Sequence, residues 1–282
     1  MHYNSFDFYS HQPYLEYNRH YMNYRPAASD TLSSIIWEAY QADDFDSAKD
    51  VAFPDICADI MILYTDNKAY CYFMGGTAGV RSMKDIEFLD TVKAICGFKF
   101  RPGAIGNIFR EEVCDAAGSI INAEDILYSG ANVVDELVNT TDFGKRLQVM
   151  QRYITARLSD GYETDPLANY VTNRIMDSHG TAKLSDIADE TGCTDRYIRK
   201  VLKSKLGMSA KTFSQIVKMQ WSYHIGKETS HEANVYTLAD LAMDSGYYDQ
   251  SHMNASYKKL TGMLPNDAFK LYAPAIPAMK SK

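Results

Sequence analysis

The sequence predicts an α+β chain: a β-rich N-terminal domain plus helices, followed by an all-α domain built from two copies of one helix-pair unit. Three observations predict it. Short runs rich in β-branched and aromatic residues, separated by turn residues, fill residues 51–110. Apolar spacing shifts to a helical period after residue 120. A self-similar segment then occurs twice, 54 residues apart.

The 282 residues suggest two domains as a prior, and the boundaries expected are 1–140, a helix and linker over 141–164, a helical domain over 165–273, and a tail over 274–282. Composition is ordinary, with 46% apolar and 23% charged residues, enough to bury a core. No stretch reaches the roughly 18 apolar residues of a membrane span. The start, MHYNSFDFYSHQPY, lacks a basic region followed by an apolar one, so it does not read as a secretory signal. A cytoplasmic protein with no membrane association is expected. Five cysteines (Cys57, Cys71, Cys96, Cys114, Cys193) form no C-x-x-C pair and read as reduced thiols. Net charge is −7, but it is unevenly spread. Residues 1–165 hold 14 Lys and Arg against 25 Asp and Glu, a net of −11, whereas residues 166–282 hold 15 against 11, a net of +4. An acidic module beside a modestly basic one is the consequence.

Taken in order, residues 1–30 read as irregular or extended. ICADIMILY (56–64), AYCYFMGG (69–76) and ICGFKFRPG (95–103) read as strands, each closed by turn residues. Several such strands suggest a small barrel or sandwich. Gly75-Gly76-Thr77-Ala78-Gly79 loosely resembles a phosphate loop, yet it lacks the Gly-Lys-[Ser/Thr] ending and reads as a strand-to-strand turn. In 143–158, Phe143, Leu147, Met150, Ile154 and Leu158 form one helical stripe, with Lys145, Arg146, Arg152 and Arg157 off it. SDGYETDP (159–166) reads as a linker.

LSDIADETG (184–192) and LADLAMDSG (238–246) both match L-x-D-[IL]-A-x-x-x-G. Small residues Ala188 and Ala242 let a second helix cross closely, and Gly192 and Gly246 can stop a helix in the left-handed conformation. Thr194 and Asp249 then cap a second helix. In the first unit Ile198, Val201 and Leu202 turn inward and Arg196, Tyr197, Arg199, Lys200 and Lys203 outward. In the second, Leu241, Ala242, Met253 and Tyr257 turn inward, and Gln250, Ser251, His252 and Asn254 are exposed. Two helices joined by a tight glycine turn, the second of them exposed, are the helix-turn-helix plan, whose second helix enters the DNA major groove. The two units span 184–205 and 238–260, with FSQIVKMQWSYHI (213–225) as a connecting helix.

SGYYDQSHMNASYKKLTGMLPNDAF (245–269) resembles the G-[FY]-x-D-x-S-x-F…F-K-K…G-x-x-P signature of the AraC/XylS family of transcription regulators. Gly246, Tyr247, Asp249, Ser251, Lys258, Gly262 and Pro265 match as they stand. The resemblance covers about residues 165–273. It implies seven helices, double-stranded DNA as partner, and two recognition helices in successive major grooves. RNA polymerase, a homodimer and a small-molecule effector are further partners it implies. Departures are Met253 and Tyr257 where phenylalanines are usual, Ala255 in place of a frequent arginine, and Lys218 in place of an arginine in the connecting helix. Arg196, Arg199 and Lys200 suit guanine edges or phosphates, and Gln250 and Asn254 suit adenine. Ser251 and His252 suit bases or backbone, and Lys203 and Lys258 suit either phosphate contact or a solvated face.

In the N-terminal half, GFKFRPGAIGNIF (97–109) resembles the F-R-P-G motif of a poorly characterised regulator-associated domain, which suggests a cupin-like barrel. His2, His11 and His20 all precede the strands, so neither a metal nor another cofactor is expected there, and no catalytic constellation is legible. The chain is read as a DNA-binding regulator and not as an enzyme. Two roles stay open for this half. One is an effector pocket walled by Tyr64, Tyr70, Tyr72, Phe73, Phe98 and Phe100. The other is a dimerisation or protein-interaction module using the 143–158 helix. An enzymatic activity fused to the DNA-binding domain is the remaining alternative.

Overall fold

The computed structural model describes residues 10–12, 15, 18, 20–27, 29–46, 52–77, 79, 86–104, 108–110, 117–161, 165–229 and 236–272. The expected tail, Cys114, His2 and the middle of the 159–166 linker lie outside these residues.

The N-terminal half is built on one six-stranded sheet. Its strands are β1 (Tyr21–Tyr24), β2 (Ile36–Asp43), β3 (Ala58–Thr65), β4 (Ala69–Met74), β5 (Val92–Phe100) and β6 (Ile120–Asn122), in the order β1-β2-β5-β3-β4-β6 with every pairing antiparallel. Among the described residues β1 and β6 are the sheet's two edges and do not pair with each other, so the β-rich half is an open sheet, not a closed barrel. The sheet is covered on both faces, which is why its central strands read as continuous apolar runs and not as alternating ones. Ala58, Ile60, Ile62, Phe73, Cys96, Phe98 and Phe100 face three helices, α1 (Ala123–Ile126), α2 (Gly130–Asn139) and α3 (Phe143–Ser159). Tyr40, Met61, Leu63, Met74 and Ile95 form the opposite layer with Leu15 and Leu89. Gly97 lies under the Tyr40 ring; a Cβ there would sit 2.3 Å from Cζ of Tyr40, so only glycine fits this crossing.

Helix α3 keeps its stripe inward, with Met150 and Ile154 fully buried. Arg146 departs from expectation. It is 4% exposed, its guanidinium lies 4.4 Å above the Tyr64 ring, and it donates to the Thr140 carbonyl and, at 2.7 Å, to Gln41 Oε1. A ring face and two acceptors replace the water that burial removes.

Seven helices occupy the described residues after 165: α4 (Pro166–Asp177), α5 (Leu184–Thr191), α6 (Asp195–Leu206), α7 (Ala210–Glu228), α8 (Leu238–Asp244), α9 (Gln250–Thr261) and α10 (Pro265–Tyr272). α7 is 19 residues long and carries buried residues on all sides, as a helix at the centre of a bundle must. The halves share this core: Trp37, Phe53, Ile56 and Cys57 pack into the same cluster as Val217, Trp221 and Tyr223 of α7. The β-bulge between Ile36 and Glu38 is what turns Trp37 away from the sheet's own layer.

Candidate nucleic-acid interface

Each helix pair is shaped by local chemistry. In the first, α5 closes on Gly192 at φ +66°, the Thr194 hydroxyl caps α6 by accepting from the Tyr197 N–H, and α6 closes on Gly207 at φ +69°. In the second, Thr237 and Asp240 form a reciprocal capping box on α8. Asp249 accepts from the His252 N–H at 2.7 Å to start α9, which ends on Gly262 at φ +73°. Gly246 carries the turn between them at φ +77°, and a Cβ there would lie 2.4 Å from Thr181 Cγ2. The sharp turn and the close approach of α4's trailing loop both demand glycine.

The inward positions are tightly held. Ile198, Leu202, Leu241, Ala242, Met253 and Tyr257 are fully buried. Tyr257 replaces the usual phenylalanine without an orphaned hydroxyl: it pairs with Ser222 Oγ at 2.7 Å and donates to the Met219 carbonyl at 3.3 Å. Ala188 is 9% exposed against α6, and Pro265 opens α10 from a buried position.

The outward positions differ between units. On α6, Arg196, Tyr197, Arg199, Lys200 and Lys203 are all exposed. Arg199 reaches back to Asp195 at 3.6 Å, and Lys203 donates to the Gly207 carbonyl at 2.6 Å, favourable to a helix C-terminus. On α9, Ser251, His252 and Lys258 are exposed, whereas Gln250 and Asn254 are half-buried, more enclosed than the sequence suggests. Asn254 Oδ1 has no hydrogen-bond donor among the described residues. The His252 ring accepts from the Tyr248 N–H through Nδ1 at 3.3 Å, which leaves its proton on Nε2. Tyr248, absent from the sequence-derived set, is 88% exposed beside α9, and no motif position singles it out. Between the two units lies a cavity of about 290 Å³ whose walls include Arg199, Lys211, Lys218 and His252.

The aromatics expected to wall an effector pocket fall into two groups, of which Tyr70 and Tyr72 line one cavity together. Phe98 and Phe100 are 0% exposed in the layer under α1–α3, with Phe73, and Tyr64 packs at that layer's edge against Arg146. Tyr70 and Tyr72 point to the other face, where Tyr70 stacks on Phe88 at 3.7 Å. The sheet itself separates them, because alternate residues of a strand face opposite ways. A cavity of about 40 Å³ lies on the second face, lined by Tyr40, Asp55, Asp59 and Lys99. Of the Gly75–Gly79 stretch, the Gly75 N–H donates to the Ser119 carbonyl and Thr77 forms an antiparallel bridge with Asp55, while Ala78 lies outside the described residues.

Residues 187–270 match the family described as a helix-turn-helix domain. The HTH-type transcriptional activators RhaR of Escherichia coli and Shigella boydii are 20% identical over 184 residues, covering 63% of this chain. The chain spans 62% of the length of those relatives. Among solved structures, the C-terminal domain of AraT, a response regulator from Geobacillus stearothermophilus, has a TM-score of 0.34 at 19% identity, covering 42% of this chain and 90% of that one. Unsaturated fatty acid bound ToxT from Vibrio cholerae has a TM-score of 0.43 at 14% identity, covering 94% and 99%. The family match takes in both helix pairs, from within α5 to within α10.

Proposed function

We propose that the chain is a sequence-specific DNA-binding transcription regulator, with a regulatory domain over 1–140, a connecting helix and linker over 141–164, and a DNA-binding domain over 165–273. The observation that carries this reading is the repeated pair α5–α6 and α8–α9, held by one rigid α7 and matched by a helix-turn-helix family over 187–270. Arg196, Tyr197, Arg199, Lys200 and Lys203 form the cationic half of the contact. Gln250, Ser251, His252, Asn254 and Lys258 form the polar half, suited to reading bases more than to gripping phosphates. RNA polymerase and a second copy of the chain complete the partners we propose; no enzymatic role is proposed.

The N-terminal half acts on the DNA-binding half through the shared core. Trp37, Phe53, Ile56 and Cys57 share one core with the helix that spaces the two recognition helices, and Phe53 packs on its Tyr223 at 5.0 Å, so an effector that repacks them alters that spacing. This contact supports regulation better than an isolated dimerisation helix does, since the α3 stripe faces its own sheet.

Selection of duplexes from a random pool by the full chain tests the function. Enrichment of a two-part site, with affinity that falls as salt rises and falls again in Arg196→Ala, is expected. Failure to bind any duplex, or binding indifferent to salt and to Arg196, overturns it.

A further inference from the structure

We propose that the cavity between the two helix-turn-helix units is a phosphate-binding site centred on Lys218, filled either by the DNA backbone where it passes between the two recognition helices or by a free phosphate anion. The first source deepens the DNA-binding reading and rests on it; the second does not.

Lys218 occupies an unusual place for a lysine. It is half-buried on α7, donates one hydrogen to the Gly246 carbonyl at 2.9 Å and lies 5.4 Å from the Tyr247 ring centroid. Among the described residues lining the cavity there is no Asp or Glu. An ammonium has three donors, so two stay available to an anion. Burial alone holds its pKa below the ordinary lysine value, which is the cost of a cation that lacks a counter-charge. An anion in the cavity removes that cost.

The other walls complete the same chemistry. Arg199 enters from the first recognition helix and His252, its proton on Nε2, from the second; Lys211 and Ser214 come from the first turns of α7. Arg199 is held by Asp195 at a loose 3.6 Å and can exchange that contact for a phosphate. The volume of about 290 Å³ leaves room for one phosphate group and its solvent. A strand crossing from one major groove to the next passes over this mouth, because each recognition helix supplies one wall.

The test uses the full chain, a duplex it selects, and inorganic phosphate as the second probe. Lys218→Met keeps the aliphatic stem and removes the charge; Lys218→Arg restores it. With the backbone as source, Lys218→Met weakens binding about tenfold on unrelated duplexes alike and lowers the slope of log affinity against log salt by about one, and Lys218→Arg recovers both. With a free anion as source, the slope is unchanged, but inorganic phosphate at constant ionic strength raises the melting midpoint of the wild type and not of Lys218→Met. Exposed Lys211→Ala repeats both arms should Lys218→Met fail to fold. If wild type and variants share one slope, and phosphate either leaves the wild-type midpoint unmoved or raises that of the variants equally, the site does not exist. A wild type that binds no duplex overturns the DNA-binding reading instead, and the phosphate arm then decides the site alone.

Discussion

The Gln220 side chain brackets the backbone of His11: its Oε1 accepts from the His11 N–H at 2.9 Å, and its Nε2 donates to the His11 carbonyl at 3.3 Å and to the Pro54 carbonyl at 2.8 Å. Gln220 is wholly buried at the centre of α7, 209 residues from His11. One amide thus ties the start of the chain and the β-rich half to the helix that spaces the recognition helices. Replacing it with leucine keeps the volume and orphans three backbone groups. We expect Gln220→Leu to cost about 1–3 kcal/mol in urea unfolding and to shift DNA affinity although no recognition residue changes. An unaltered affinity would show that the two halves are not coupled through this amide.

The same contact is sensitive to acid. His11 Nε2 and His224 Nδ1 lie 3.2 Å apart, an arrangement open only while at least one ring is neutral. Burial first, and then His11, push the His224 pKa down; Lys227 and His179 push the same way and Glu228 opposes them. His179, stacked on Trp221 at 3.7 Å, is lowered by its own burial. Both folded-state values lie below the unfolded one, so the unfolded chain binds more protons between them and stability rises with pH there. Full stability is expected above about pH 6.5, with a progressive loss below it until the folded-state values are passed. Urea midpoints at pH 7.5 and 5.5 measure this; His224→Gln should flatten the difference, and an equally steep profile in that variant would refute the assignment.

Asp55 and Lys99 form a buried ion pair at 2.8 Å, their side chains 8% and 3% exposed. Burial raises the Asp55 pKa, but the charge of Lys99 and hydrogen bonds from Lys99, Ser10 and the Cys57 N–H more than offset it, leaving the carboxyl below its usual range. Its contribution is therefore present above about pH 4 and lost only as pH falls through the folded-state value, clear of the histidine window. Asp55→Asn strands a buried ammonium and should cost about 3–5 kcal/mol, whereas Asp55→Leu with Lys99→Met should recover most of that. Denaturant unfolding of the single and double variants decides, and a double variant as unstable as the single one would mean that other partners hold Lys99.

The helix pairs were legible because they occur twice: caps, small crossing residues and glycines recur at one spacing, and each has a local physical cause. Strands β3, β4 and β5 were legible from β-branched and aromatic runs closed by turn residues. Strand β2 was not, since IWEAYQAD mixes apolar and polar residues and a bulge breaks its alternation. Nor was the burial of Arg146, Lys99 or Asp55. A charged residue read alone looks solvated, and its partners (Tyr64, Gln41, Ser10) are distant in sequence and come together only in the fold. The pocket aromatics misled for a related reason: alternation along a strand says that two faces exist, not that both are filled by other elements.

The asymmetry between the recognition helices makes the last prediction. Helix α6 exposes four cations, Arg196, Arg199, Lys200 and Lys203, while the exposed cations of α9, Lys258 and Lys259, lie in its last turn. A recognition helix contacts base edges mainly through its N-terminal residues, so under the proposed function α9 would meet DNA with polar, uncharged groups. Ala255 is exposed one turn beyond Ser251, where a long cation reaches phosphate without disturbing the buried Met253 and Tyr257. Ala255→Arg should raise affinity several-fold on every duplex and steepen the log affinity against log salt slope by about one, while leaving the selected sequence unchanged. Fluorescence anisotropy over a salt series measures both. A gain confined to one sequence would assign position 255 to base reading, and no gain would place it off the DNA.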